Sequence, residues 1–278
     1  MPRLGTGGSA TGKLWRMFWH RPGSAVYHPI GNIRNVTSAT DGSITREEDS
    51  GNRTAFIKQG SVSPNVRFTF DIVRTRYITR NCIITNNGNV PLHSLVWYDG
   101  QEYFDMSGLA DTCRISVSPA NMLQADVVFR GRFIHPKVGF SGASSGWAED
   151  PLTHEDIAQF TVQTSGWTNW DRLEFGVSNQ VDQLPLGTSI LPSELYEKAA
   201  RHTGSYRISR RWVPTKFGES QAGTLQGMVI GITDKQAVPV TTTFTFSGTI
   251  IRNASVEDRD LEVVWESGDW EAENVAIA

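Results

Sequence analysis

The string Gly142-Ala143-Ser144-Ser145-Gly146 fits the G-x-S-x-G pattern of hydrolases that hold a nucleophilic serine at a strand-to-helix turn. That chemistry needs a strand before the serine and a helix after it. Here Trp147-Ala148-Glu149-Asp150-Pro151 follows, Pro151 interrupts any helix, and no alternation of strands and helices surrounds the string. A flexible linker accounts for it better than a serine hydrolase using Ser144. Gly7 to Lys13 (GGSATGK) imitates a phosphate-binding loop, but Leu14 stands where magnesium needs a Ser or Thr hydroxyl, and no strand precedes it. The histidines His20, His28, His93, His135, His154 and His202 are scattered, with no H-x3-H or C-x2-C pair for a metal. Cys82 and Cys113 adjoin strand residues and read as small core residues rather than nucleophiles. Two carboxylates flanking a sugar would mark a glycosidase, and no pair stands out. The nine tryptophans, among them Trp147, Trp167, Trp170 and Trp212, could stack on sugar rings. Such residues are more often core or interface anchors. The expectation is therefore no enzyme, no cofactor and no metal. A carbohydrate-binding β-sandwich using these tryptophans is the alternative function.

The chain has 278 residues, 38% of them apolar and 20% charged, which is enough to bury a core. No apolar run approaches the roughly 18–20 residues needed to span a bilayer, so no membrane partner is expected. The start of the chain reads as a Gly-rich basic arm rather than a secretory signal. A net charge of −3 and a pI near 6.1 argue against a dedicated nucleic-acid binder. Charge is uneven, however. Residues 1–28 carry Arg3, Lys13, Arg16 and Arg21 and no acid. Residues 251–278 carry eight acids, including Glu257, Asp258 and Glu271, against two arginines. Complementary ends of this kind can meet on neighbouring copies of one protein, and a head-to-tail contact makes rings or filaments. Arg16, Arg21, Glu257, Asp258 and Glu271 are the candidates for such contacts.

Strands dominate the elements that would position these residues. In Val66 to Val73 (VRFTFDIV), Val66, Phe68, Phe70 and Ile72 share one face while Arg67, Thr69 and Asp71 share the other. Arg114 to Ser118 and Asp126 to Phe133 alternate similarly. So do 228–232 and 240–251, where Thr243, Thr245 and Ser247 oppose Phe244 and Phe246. One stretch reads as a helix: Ser193 to Thr203, preceded by Pro192, capped by Ser193, ended by Gly204, with Glu194 and Lys198 at i, i+4. A weak internal repeat links the halves. Ile33–Val36 and Val66–Ile72 correspond to Leu173–Val177 and Tyr206–Arg210. Arg114–Val117 with Phe129–Phe133 correspond to Val229–Ile232 with Phe246–Ile250. The boundaries that follow are an N-terminal arm 1–29, domains 30–134 and 166–252 joined by a linker 135–165, and an acidic C-terminal arm 253–278.

The duplicated organisation resembles the tail tube protein of long-tailed, siphovirus-like bacteriophages, in the class with two tandem tube domains. The stretches that carry the resemblance are Ile33–Val36 with the charged turn Thr45–Asp49, Val66–Ile72 and Arg114–Phe133. In the second half they are Leu173–Val177, the expected helix, Tyr206–Trp212 and Met228–Ile251. The resemblance implies an all-β fold of two tandem β-sandwich or half-barrel domains with one short α-helix, closing into a barrel on oligomerisation. It implies stacked, trimeric, pseudo-hexameric rings in a virion, assembled in the host cytoplasm. The implied partners are the chain itself, tape-measure and tail-tip or terminator proteins, and genomic DNA in non-specific transit during ejection. Large barrels need a polar inner face. The lumen-facing candidates are Arg67, Thr69, Asp71, Arg130, Arg132, Arg207, Ser209, Arg211, Thr243, Thr245 and Ser247. The arginines pose a demand of their own: a conduit must not grip phosphate, so either they pair with acids across subunits or these faces do not line the lumen.

Overall fold

A computed structural model describes residues 17–47, 56–85, 88–98, 102–119, 121–140, 150–162, 165–186, 189–209, 226–259 and 263–278. The side chains at 43–47, 56–59, 165, 226, 257–259 and 263 are outside that description. In chain order the first half contains β1 (Met17–His20), β2 (His28–Pro29), β3 (Asn32–Glu47), β4 (Phe56–Asp71), α1 (Arg76–Asn81), β5 (His93–Tyr98), β6 (Tyr103–Val117), β7 (Gln124–Gly131) and β8 (His135–Pro136). After a short 3-10 turn at His154–Asp156 come β9 (Ile157–Val162), β10 (Ser165–Gly166), β11 (Trp170–Ser178), β12 (Asp182–Pro185), β13 (Pro192–Tyr196), β14 (Arg201–Ser209), β15 (Gln226–Asp234), β16 (Val240–Arg259), β17 (Val263–Ala272) and β18 (Asn274–Ile277). The fold is all-β, with α1 the one α-helix among the described residues.

Eight strands run edge to edge in the order β3-β4-β7-β6-β11-β14-β17-β16, every neighbour antiparallel. Both halves contribute to this sheet. They meet where Thr112–Val117 of β6 pairs with Leu173–Ser178 of β11. The first part of β6 pairs with β5 instead, which continues to β1 and β2.

A second layer, β10-β9-β15-β16-β18, covers the second half. β16 belongs to both layers. Its residues Val240–Thr249 pair with β15, and Ile250–Arg259 pair with β17. The crossing falls beside Gly248, whose φ of 63° suits glycine and lets the strand bend out of one sheet into the other. The layers meet through aromatic rings: Phe175 lies 5.3 Å from Phe244, and Phe246 lies 4.9 Å from Trp270. In the first half α1 takes the place of a second layer, with Tyr77 about 6.1 Å from both Phe68 and Phe70. One continuous core joins the two halves.

The helix expected at Ser193–Thr203 is instead extended. Its ends fall in β13 and β14. The apolar face of Leu195 and Ala199 is too narrow to hold a helix, while His202, Tyr206 and Ile208 on alternate positions bury a strand face. The anticipated Glu194–Lys198 pair does not define the stretch either, because Lys198 reaches Asp182 at 2.7 Å. The actual helix lies in Arg76–Asn81, a six-residue segment too short to show a period, which buries Tyr77, Ile78 and Asn81.

The stretches matched between the two halves form corresponding antiparallel pairs. β3 pairs with β4 as β11 pairs with β14, and β6 pairs with β7 as β15 pairs with β16. The order differs beyond the pairs: β7 touches β4 directly, whereas β17 stands between β14 and β16. No helix among the described residues is long and apolar enough to cross a membrane.

Candidate assembly surface

The cross-strand register of the eight-strand sheet sets two faces apart residue by residue. One row takes a residue from each strand: Asn32, Asp71, Gln124, Ser116, Glu174, Ser205, Asp269 and Arg252. Every member is polar. The adjacent row, one step along each strand, is Ile33, Phe70, Ala125, Ile115, Phe175, Gly204, Trp270 and Ile251. No member of that row is polar. Successive side chains point to opposite faces of a sheet, so one row faces the core and the other faces away from it. A single sheet assembled from both halves of the chain thus presents one continuous polar surface.

Arginines on this surface are held by carboxylates of the same chain. Arg34 Nε donates to Asp71 Oδ1 at 2.8 Å, and this hydrogen bond raises the arginine's pKa above its ordinary value. Arg67 Nε donates to Asp126 at 3.1 Å, with the same consequence. Arg130 Nε donates to Asp111 at 2.7 Å, and Asp111 also accepts from the Val181 backbone N–H at 2.8 Å. Arg114 and Arg172 both pair with Glu174, which puts a nearly buried carboxylate between two guanidinium groups at the seam between the halves. Arg207 pairs with Asp171 at 3.1 Å and lies 5.0 Å over the Trp265 ring. Arg201 and Arg252 share Glu271 at 3.4 and 3.2 Å. Exposed pairs of this kind add little stability each. Their collective effect is electrostatic: positive charge on the surface is matched locally by negative charge.

The described sheet ends at β3 on one side and at Ile250–Arg259 on the other. Among the described residues no strand pairs with the outer edge of β3, nor with the edge of Ile250–Arg259 opposite β17. Unpaired edges of this length are templates for another strand.

Residues expected to share a lumen separate into two groups. Arg67, Thr69, Asp71, Arg130, Arg207 and Ser209 lie on the polar face of the eight-strand sheet, and Arg132 follows directly beyond the end of β7. Thr243, Thr245 and Ser247 alternate with buried Phe244 and Phe246 on β16's first part, so they face outward from the second layer, on the other side of the sandwich. One lumen can take only one of these faces. Arg211 and Arg16 lie outside the described residues, as do the side chains of Glu257 and Asp258. Glu271 sits on the polar face, and Arg21 lies near α1. Ser144, Trp147 and Trp212 are also outside the described residues. Trp167 is buried and Trp170 half-buried, and Cys82 and Cys113 are buried within the core.

Sequence reading missed Arg34, Asp111, Arg114, Asp126 and Glu174. Their alternation was visible, but their partners lie 19 to 60 positions away along the chain. Among the described residues no group of His, Cys, Asp or Glu could hold a metal ion. No protein-family model matches the chain, and no curated protein matches it.

Proposed function

We propose that the chain is a structural subunit of a bacteriophage tail tube, assembling into stacked rings that conduct DNA during ejection. The observation that carries this reading is the eight-strand polar face with an open edge at each end. Both halves are needed to make it. A sheet with one wet face and one core face is what a large barrel wall requires. The edge of β3 on one copy fits the free edge of Ile250–Arg259 on the next, and such pairing removes both exposed edges.

Three copies, each with eight strands, would close a barrel of about 24 strands. Strand spacing of about 4.8 Å and tilts of roughly 40° give such a barrel an inner diameter near 40 Å once side chains are included. The local pairing of arginines with carboxylates suits passage of DNA, because matched charge offers phosphate few free cations to displace its counterions. On this reading the location is the virion, after assembly in the host cytoplasm, and the further partners are tape-measure and tail-tip or terminator proteins. Negative-stain microscopy with native mass measurement tests it. Expected are rings or tubes with three subunits per ring. Monomers at high concentration, with a tail-tip initiator present, would contradict it.

A further inference from the structure

Arginines elsewhere on the molecule are handled in the opposite way. Arg21 follows β1, and its Nη2 donates to the Arg80 backbone carbonyl at 3.2 Å while its guanidinium lies 6.0 Å from the Trp19 ring. Arg76 and Arg80 are exposed and stand at i, i+4 on α1, a spacing that brings like charges together at a cost. Arg74 and His28 line a shallow cleft with Arg76. Among the described residues, no carboxylate forms an ion pair with Arg21, Arg76 or Arg80. Burial, then the charges of Arg80 and Arg74, lower the pKa of Arg76. Burial, then Arg76 and Arg80, lower that of His28. Arg76 and Arg80 thus share one side of α1, Arg21 bonds to the carbonyl of Arg80, and no described carboxylate pairs with any of the three, an arrangement that favours an anionic partner.

We infer that Arg21, Arg76 and Arg80 form a docking surface for the acidic stretch Glu257–Glu262 of a second copy of this chain. That stretch holds Glu257, Asp258, Asp260 and Glu262 against Arg259 alone, a net charge of −3. It lies where β16 gives way to β17. Among the described residues β14 pairs with β17 from Trp265 onward, while Asp258 and Arg259 of β16 pair with Val264 and Val263 of β17. The first residues of the acidic stretch, Glu257–Arg259, continue the strand that holds the free edge. Charge complementarity selects the partner: four acids within six residues meet three arginines that no described carboxylate pairs with. The inference rests on the assembly reading and names a contact additional to strand pairing.

The test is a charge swap in the full chain. Arg76→Glu with Arg80→Glu, and separately Glu257→Lys with Asp258→Lys, should each raise the concentration needed for assembly by about tenfold, read by sedimentation. Combined in one chain, the four changes should restore assembly, since every copy then presents the reversed charges on both sides of the contact. Thermal melting checks that both fold, and the Glu257/Asp258 variant probes the same contact should the other fail to fold. Assembly unchanged in either variant, or no rescue in the combined variant, overturns the inference while leaving rings intact. Loss of oligonucleotide binding in Arg76→Glu/Arg80→Glu with unchanged assembly also overturns it, in favour of nucleic acid. Dimers or open filaments that obey the swap would keep the docking contact and overturn the closed ring. A wild-type chain that stays monomeric overturns both.

Discussion

Two neighbouring rows of the same sheet do opposite work. The row from Ile33 through Phe70, Phe175 and Trp270 to Ile251 is buried for most of its length and knits the layers together. The row from Asn32 through Asp71, Glu174 and Asp269 to Arg252 is one residue away on every strand and faces outward. The contrast teaches how stability and surface chemistry are kept apart in a sheet. Apolar contacts on one face supply the cohesion, so the other face is free to carry a charge pattern that contributes little to folding. Glycine marks where the apolar row is tightest: a Cβ on Gly204 would come within 2.4 Å of the Trp270 ring and 2.2 Å of the Glu174 backbone oxygen.

Substitutions on the two rows should therefore separate in kind as well as size. The largest loss is expected on the apolar side. Trp270→Ala should cost about 3–5 kcal/mol in urea denaturation, from lost contacts with Phe246 and the cavity left behind.

Next comes His93, buried beside Phe129 and Tyr77, where burial pushes its pKa down to about 4. The folded state holds the neutral ring while the unfolded state takes up a proton near 6.5. Stability is thus present above pH 6.5 and falls as pH drops toward about 4, by roughly 3 kcal/mol for this group. Denaturation curves at several pH values should show that slope reduced in His93→Gln. Gly204→Ala should cost about 1–3 kcal/mol through the clash with Trp270.

On the polar side Glu174→Gln should cost only about 1–2 kcal/mol. Its stronger signature is electrostatic. With Arg114 and Arg172 released, oligonucleotide affinity should rise at low salt, and its salt dependence should steepen by about one to two phosphate contacts. Asp126→Asn, at an exposed pair, should change stability by less than about 1 kcal/mol.

Much of this sheet was legible from alternation alone. Val66, Phe68, Phe70 and Ile72 are all buried, opposite Arg67 and Thr69, as their period of two required. Alternation tells which residues share a face of a strand but not which layer the strand joins. For that reason Thr243, Thr245 and Ser247 were grouped with Arg67 although they face away from the second layer. Pairing partners were equally hidden. Arg114 and Glu174 are 60 positions apart and meet only because β6 lies against β11. The helix was misplaced because capping residues at Ser193 and Gly204 are local signals, and the strand face of His202, Tyr206 and Ile208 outweighs them once it has a core to enter. Tyr77 of α1 packs against Phe68, Phe70, Trp19 and His93, contacts between separate elements of the chain that have no sequence signature.

A density map of the assembled particle tests the central claim most directly, because it shows at once which face lines the channel and which edges join. Expected is a ring with Asp71, Glu174 and Asp269 turned inward and β3 of each copy hydrogen-bonded to Ile250–Arg259 of the next. A map with that row turned outward, with Thr243, Thr245 and Ser247 lining the channel, or with the β3 edge left unpaired would contradict it.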